Sequence, residues 1–359
     1  MEFWIVFSVI CLLFYLGEFF IPDIYKKYFQ IIFVLFLTFI ACFRYEIGSD
    51  YNVYADLFYS DQLPAEISFM WIISFLKWCG FDYQMLFVTY SMLTMAFIYL
   101  GCRYYGGNTN YLLCLYALIP MLYWNNFSII RQALAISILF WGSKFLIEQK
   151  NKKFFYSILL ATFFHYAAIV FIVSYYFVRK EYKFSTYFII IFLSLLLGYS
   201  GFVFFAFSQI ASSLGVDRLL SYVNVIIDEK VSIGKIMVQL LTYAGCCCCI
   251  MKNNPQYKEK IVLNLYTIGT VFYFLFLDIP IIGRMKNFYD IFMIVIIFYA
   301  FKKLNFLNKN FGRLLFLIGI GFYFLFTINQ YSQNIDGLLF PTNSASNIEY
   351  QFNFSLWKK

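Results

Sequence analysis

Apolar runs of bilayer-crossing length recur along almost the whole of this chain. A helix rises about 1.5 Å per residue, so crossing the hydrocarbon layer takes about 20 mostly apolar residues. Runs of that order occupy 3–21, 28–43, 85–102, 111–125, 129–147, 184–207, 234–251, 260–283, 287–301 and 314–330, and a further apolar stretch covers 154–178. Apolar residues make up 62% of the chain and charged residues 13%, where ordinary soluble domains run near about half and about a quarter. One water-exposed globule could not hide that much apolar surface, which excludes a soluble enzyme and a disordered chain. The net charge of +8 does not indicate nucleic acid, because Lys and Arg fall in short groups between the apolar runs. That is the pattern of loops flanking membrane spans. The fold class is all-α, a polytopic integral membrane protein of about eleven to twelve segments.

The first run does not read as a cleaved leader. It lacks a positive leading region and a small-residue cleavage site, and Lys26 and Lys27 follow it. Those lysines place its far end inside and the N-terminus outside. Alternation then puts 44–84 outside, 103–110 inside, 124–130 outside and 148–153 inside, in agreement with Arg103 and the basic run 149–153. If 154–178 crosses once, the basic loops 179–183, 252–260 and 302–313 fall outside. If it enters and returns, with its turn near His165, all three fall inside, and charge bias favours that hairpin. No internal repeat or linker interrupts 1–359, which reads as one transmembrane domain. It carries an outward loop 44–84, an outward loop 208–233 and a polar outward tail 331–359. Within the first loop, Ile67–Cys79 is apolar but short, the mark of an interfacial or re-entrant helix. Cys246 to Cys249 stand in a row; consecutive helical residues point about 100° apart, so four of them cannot close on one metal. They read as small buried hydrophobes, and no metal or other cofactor is expected.

Ionisable groups in or beside a membrane segment are costly and mark candidate sites. Arg44 ends the second run, Arg131 opens the fifth, His165 marks the hairpin apex and Arg284 precedes the run at 287–301. In this topology they converge on the outer boundary. Each has a plainer reading: arginine as a snorkelling anchor, histidine as a satisfied core group, Asp278 and Asp290 as partners neutralising Arg284. The string Arg44-Tyr-Glu-Ile-Gly48-Ser-Asp50-Tyr51-Asn-Val-Tyr54 is the most distinctive. Gly48 permits a tight turn, and Ser49-Asp50 favours a helix cap or Asx-turn.

That string, Arg44-x-x-x-Gly48-x-Asp50-Tyr51-x-x-Tyr54, resembles the signature of the EpsG family of exopolysaccharide and O-antigen polymerases, which are Wzy-type proteins. Other elements follow in order: Glu66 before an apolar stretch and Gly80-Phe-Asp-Tyr; Asn126-Phe-Ser-Ile-Ile-Arg131-Gln132-Ala-Leu-Ala; Phe164-His165; and Gly283-Arg284 with Tyr289. The resemblance spans roughly 40–290. It implies a glycosyltransferase-like membrane fold in the bacterial inner membrane that polymerises undecaprenyl-pyrophosphate-linked oligosaccharide repeat units at the outer face. The growing glycan would pass to the non-reducing end of another lipid-linked unit, with a chain-length regulator and a flippase of the same pathway as partners.

The residues suit that chemistry. A pyrophosphate leaving group calls for fixed cations, and arginine grips phosphate oxygens bidentately without losing its charge. Arg44, Arg131, Arg284 and Arg218 are the candidates, with Gln132 and Glu66 beside them, Glu66 as a group that could orient an arginine. The acceptor hydroxyl needs a base, and Asp50 and His165 are the candidates, Asp50 slightly preferred. Tyr51 and Tyr54 could stack on sugars or serve as interfacial belt residues. No Asp-x-Asp occurs, which points to a metal-free site. The rivals are another lipid-linked glycosyltransferase or ligase, and a flippase or transporter of lipid-linked sugars. Transporters often show related halves and midplane ion sites, and neither is visible here.

Overall fold

A computed structural model describes residues 1–60, 66–214, 233–279, 283–304, 309–333 and 350–356. Arg218 and most of the 208–233 loop lie outside the described residues, as does most of the tail. The described residues form helices almost throughout, and the chain divides into two compact units, Met1–Ile169 with Phe306–Lys359, and Val170–Asn305.

Unit one opens with α1 (Glu2–Gly17) and α2 (Asp23–Cys42), followed by the two-residue strand β1 (Arg44–Tyr45). Next come the short helices α3 (Tyr51–Tyr59) and α4 (Ile67–Trp78), the long α5 (Gln84–Tyr105), then α6 (Thr109–Leu118) and the single turn α7 (Asn125–Ser128). Helices α8 (Ile130–Ile147) and α9 (Asn151–Phe164) follow as a pair joined by a short turn. Gly142 lets α9 approach closely, since a Cβ there would stand 2.3 Å from Ser157 Oγ; small residues play this part where helices pack without a hydrophobic drive. On α1 the buried residues Trp4, Phe7, Cys11 and Tyr15 recur at helical spacing and form its inward stripe.

Unit two holds α10 (Val173–Phe177), α11 (Phe184–Tyr199), α12 (Phe202–Leu214), α13 (Ile233–Met251), α14 (Tyr257–Leu275), the single turn α15 (Asn287–Asp290) and α16 (Phe292–Lys303). Gln256 and Glu259 make a reciprocal capping box that starts α14. Unit one is completed by α17 (Lys309–Gln333) and the strand β2 (Gln351–Phe352), which pairs antiparallel with β1, Arg44 opposite Phe352 and Tyr45 opposite Gln351.

Among the described residues, five helices are long and apolar enough to cross a membrane: α2, α5, α8, α13 and Lys309–Asn329 of α17. The α11–α12 pair makes a sixth if its 64° bend lies within one span. The eleven to twelve segments expected from hydropathy include runs that the fold cuts short. The run at 111–125 ends as a helix at Leu118, because Ile119 turns extended before Pro120. The 154–178 stretch breaks at His165, where the backbone is extended (φ −155°, ψ 113°), and it resumes as a 3-10 turn over Tyr166–Ile172. Glu2–Gly17, Ile67–Trp78, Thr109–Leu118 and Tyr166–Phe177 are apolar helices below bilayer length.

Part of the polar tail is held tightly. Asn353 donates its backbone N–H to the Phe43 carbonyl at 2.7 Å, the Tyr350 hydroxyl donates to the Ile40 carbonyl, and the Tyr350 ring stacks on Phe3 at 4.0 Å. The N-terminus, the Arg44 strand and residues 350–356 therefore share one end of unit one. At the other end Tyr15 donates to the Asn310 carbonyl and Asn110 to the Phe14 carbonyl.

Candidate functional site

The Arg44–Tyr54 string folds as a knot at the end of α2. Arg44 is fully buried. Its Nη1 donates to the Ala41 carbonyl at 2.5 Å, its Nε to Ile47 at 3.2 Å and its Nη2 to Phe127 at 3.2 Å, and the guanidinium lies 4.4 Å from the Phe87 ring centroid. Gly48 passes directly against the chain at Phe127: its φ is +105°, and a Cβ would stand 2.0 Å from the Phe127 carbonyl oxygen. Ser49 N–H then donates to Ser128 Oγ. The chain just before α8 is thus clamped onto the turn just after α2.

Three residues expected at the site lie in this setting. Arg44 spends its donors on carbonyls inside the protein. Tyr51 and Tyr54 are buried: Tyr51 stacks on Phe87 at 4.7 Å and donates to Gln84 Oε1 at 3.2 Å. Gln84, also buried, donates to the Cys42 and Arg44 carbonyls and accepts from Asn353, so it ties together the end of α2, the start of α3 and the C-terminal strand. Asp50 occupies the N-cap position of α3 without capping it; its Oδ1 accepts from Ser49 Oγ at 3.0 Å.

The clamp delivers Arg131, in the first turn of α8, to Glu66 at the start of α4. Glu66 Oε2 pairs with Arg131 Nη1, and Glu66 Oε1 lies 2.8 Å from His165 Nδ1. The Glu66 side chain is 7% exposed, Arg131 24% and His165 26%, so the acid is enclosed while both partners reach the surface. Ser68 Oγ donates to the Phe163 carbonyl at 2.5 Å and fastens α4 to the end of α9, which brings Glu66 and His165 together. The Arg131 guanidinium lies 4.9 Å from the Phe69 ring centroid and 5.7 Å from Tyr54, to whose hydroxyl it is hydrogen bonded. The Tyr54 phenol feels the charges of Arg131, Asp50 and Glu66 together, which places Asp50 in the same electrostatic neighbourhood.

Burial by itself would raise the Glu66 carboxyl, but the hydrogen bond from His165 and the Arg131 charge outweigh it and hold the group at about 2. The folded value lies below the ordinary 4.5. The stabilisation is therefore complete above 4.5 and is lost as pH falls toward the folded value. Melting of the solubilised protein is expected at progressively lower temperature as pH drops below 4.5, with a shallower fall for Glu66→Gln. Parallel curves for the two proteins would assign the acid sensitivity to other groups.

Gln132, next to Arg131 in the sequence, is buried. Arg284 belongs to unit two, exposed in a 3-10 turn with Lys286. The Asp290 carboxylate faces Lys286 at 3.3 Å. Among the described residues, no group of three or more His, Cys, Asp or Glu could hold a metal ion. Sequence reasoning missed Phe69, Gln84, Tyr90 and Asn353. Gln84 alone carries a signal, as an amide opening an apolar run.

The EpsG family profile matches residues 27–352. The chain belongs to the EpsG family. EpsG proteins are Wzy-type polymerases, so this chain has a polysaccharide polymerase role in the membrane at that level. The match reaches Phe352, so the EpsG region takes in the strand that pairs with Arg44–Tyr45. Comparison with curated proteins and with solved structures returns no match.

Proposed function

We propose that this EpsG-family chain joins undecaprenyl-pyrophosphate-linked oligosaccharide units at the outer face of the inner membrane, with Arg131, Glu66 and His165 as its working centre. The observation that carries this reading is the single enclosed carboxylate shared by a surface-reaching arginine and a surface-reaching histidine. A nucleophile's hydroxyl and a departing pyrophosphate need these two kinds of group.

In the proposed step the acceptor hydroxyl oxygen attacks the anomeric carbon of the growing glycan. Its proton passes to His165, the new C–O bond forms, and the bond from the anomeric carbon to the pyrophosphate oxygen breaks with its electrons staying on the pyrophosphate. Arg131 stabilises that charge. Glu66 accepts from Nδ1–H, which makes Nε2 the basic nitrogen, as a carboxylate does for the histidine of a hydrolase triad. This reading prefers His165 over Asp50 as the base, because Asp50 is engaged with Ser49 within the knot.

The outer-face placement rests on charge. The site-side ends of α2, α5, α8 and α9 carry Arg44, Gln84, Arg131 and His165. Their opposite ends carry Lys26 and Lys27, Arg103, Lys144, and Lys152 and Lys153. The basic-rich side is the cytoplasmic one.

The test is a surface-polysaccharide gel from cells lacking the chain, complemented with variants. Loss should collapse the ladder to a single repeat unit. His165→Gln should leave it collapsed, and Asp50→Asn should restore most of it. A full ladder from His165→Gln would remove the base assignment. If even the single unit is missing from the surface while lipid-linked units accumulate inside, the chain is a flippase.

A further inference from the structure

The buried polar atoms of unit one that have no hydrogen-bond partner include the Tyr90 hydroxyl and Arg131 Nε. Tyr90 lies in α5 and is 1% exposed. Its ring packs 6.1 Å from Phe69 and 6.4 Å from Phe164. Phe69 is the ring beneath the Arg131 guanidinium, and Phe164 directly precedes His165. Tyr54 packs on the same Phe69 ring at 5.9 Å. Two buried phenols therefore share one aromatic wall under the arginine, and the Tyr90 phenol lies within electrostatic reach of Tyr54, Arg131 and Glu66. An unpaired hydroxyl in such a place is costly, and phenylalanine would fill the space without it.

We infer that Tyr90 is a positioning residue whose hydroxyl takes over Tyr54 when a lipid pyrophosphate draws Arg131 away. The inference rests on the polymerase site proposed above. Arg131 serves both Glu66 and the Tyr54 hydroxyl. A phosphate that captures the guanidinium strips the buried Tyr54 oxygen of its donor. The Tyr90 O–H is the spare donor on the same wall, and its bond to Tyr54 keeps α3 and the Asp50 turn in place while Arg131 is engaged. Tyr90 makes and breaks no covalent bond; it lowers the cost of releasing Arg131. It therefore acts on substrate capture more than on turnover, and it is a liability for stability until Arg131 is engaged.

The test uses the purified full-length protein and polyprenyl-pyrophosphate-linked repeat units as donor and acceptor, with chain growth followed on gels. Tyr90→Phe is expected to melt at the wild-type temperature or above it. Its KM should rise about five-fold, the worth of one ordinary hydrogen bond, with kcat within about two-fold. Combined with Tyr54→Phe it should add nothing, because the two hydroxyls act as one pair. A wild-type KM overturns the inference. So does a lower melting temperature with kcat and KM damaged together, which would mark Tyr90 as core packing. Arg131→Ala run alongside separates the two levels. If Arg131→Ala loses activity while Tyr90→Phe is unaffected, only the Tyr90 role falls; if Arg131→Ala is fully active, the site reading falls with it.

Discussion

Arg131→Ala is expected to lower polymerisation about 100- to 1000-fold, the usual cost of removing one preorganised group from a developing negative charge, while membrane levels stay near wild type. The guanidinium reaches the surface and leans on Phe69 and Tyr54, so its removal opens a site and not the middle of a core. The substitution also frees Glu66 to pair with His165 alone, which keeps the buried carboxylate compensated. Arg131→Lys should recover little, because an ammonium cannot grip two phosphate oxygens in one plane. The measurement is the chain-length ladder together with an immunoblot of the membrane fraction. A wild-type ladder from Arg131→Ala at normal protein level would sink the arginine-centred site.

The second large effect is expected at a position with no chemistry of its own. Gly48→Ala should remove the protein from the membrane or leave it inactive. The positive φ alone costs about 1–3 kcal/mol for a residue with a side chain. The added methyl would also meet the Phe127 carbonyl, which accepts from Arg44 Nη2. Relief of that collision pushes the chain before α8 off the turn after α2, and Arg131 rides on that chain. Quantitative blotting and a ladder gel check it; normal amounts of active Gly48→Ala protein would show that the clamp tolerates slack. The contrast with Arg131 is the useful part, since one variant loses product with the protein intact and the other loses the protein.

How far these features could be read beforehand differs from residue to residue. The helical class was legible, because apolar runs between basic groups leave no other economical fold. Glu66, Arg131 and His165 were legible as candidates, being ionisable groups in or next to apolar surroundings. Their meeting on one carboxylate was not, since it depends on how α4, α8 and α9 pack. Arg44 looked like a boundary cation, yet its donors go to carbonyls exposed by the end of α2 and by the Phe127 segment, and no local pattern announces such distant acceptors. One apolar run outlasts its helix where a local backbone rule prevails, at Ile119 before Pro120. Phe69 and Tyr90 carry no sequence signal, because an aromatic under a cation is indistinguishable from an aromatic in a core.

The pairing of Arg44–Tyr45 with Gln351–Phe352 joins residues that lie far apart in the sequence. Contacts so distant along the chain form late and slowly. The Arg44 edge therefore stays unpaired until residues 351 and 352 have been made, after the membrane helices that come between them. A chain interrupted before residue 351 lacks the partner strand, and the structure around Arg44 stays unfinished. The same logic makes the neighbourhood of Phe352 a poor place for a bulky insertion, because it would compete for the edge that the strand must reach.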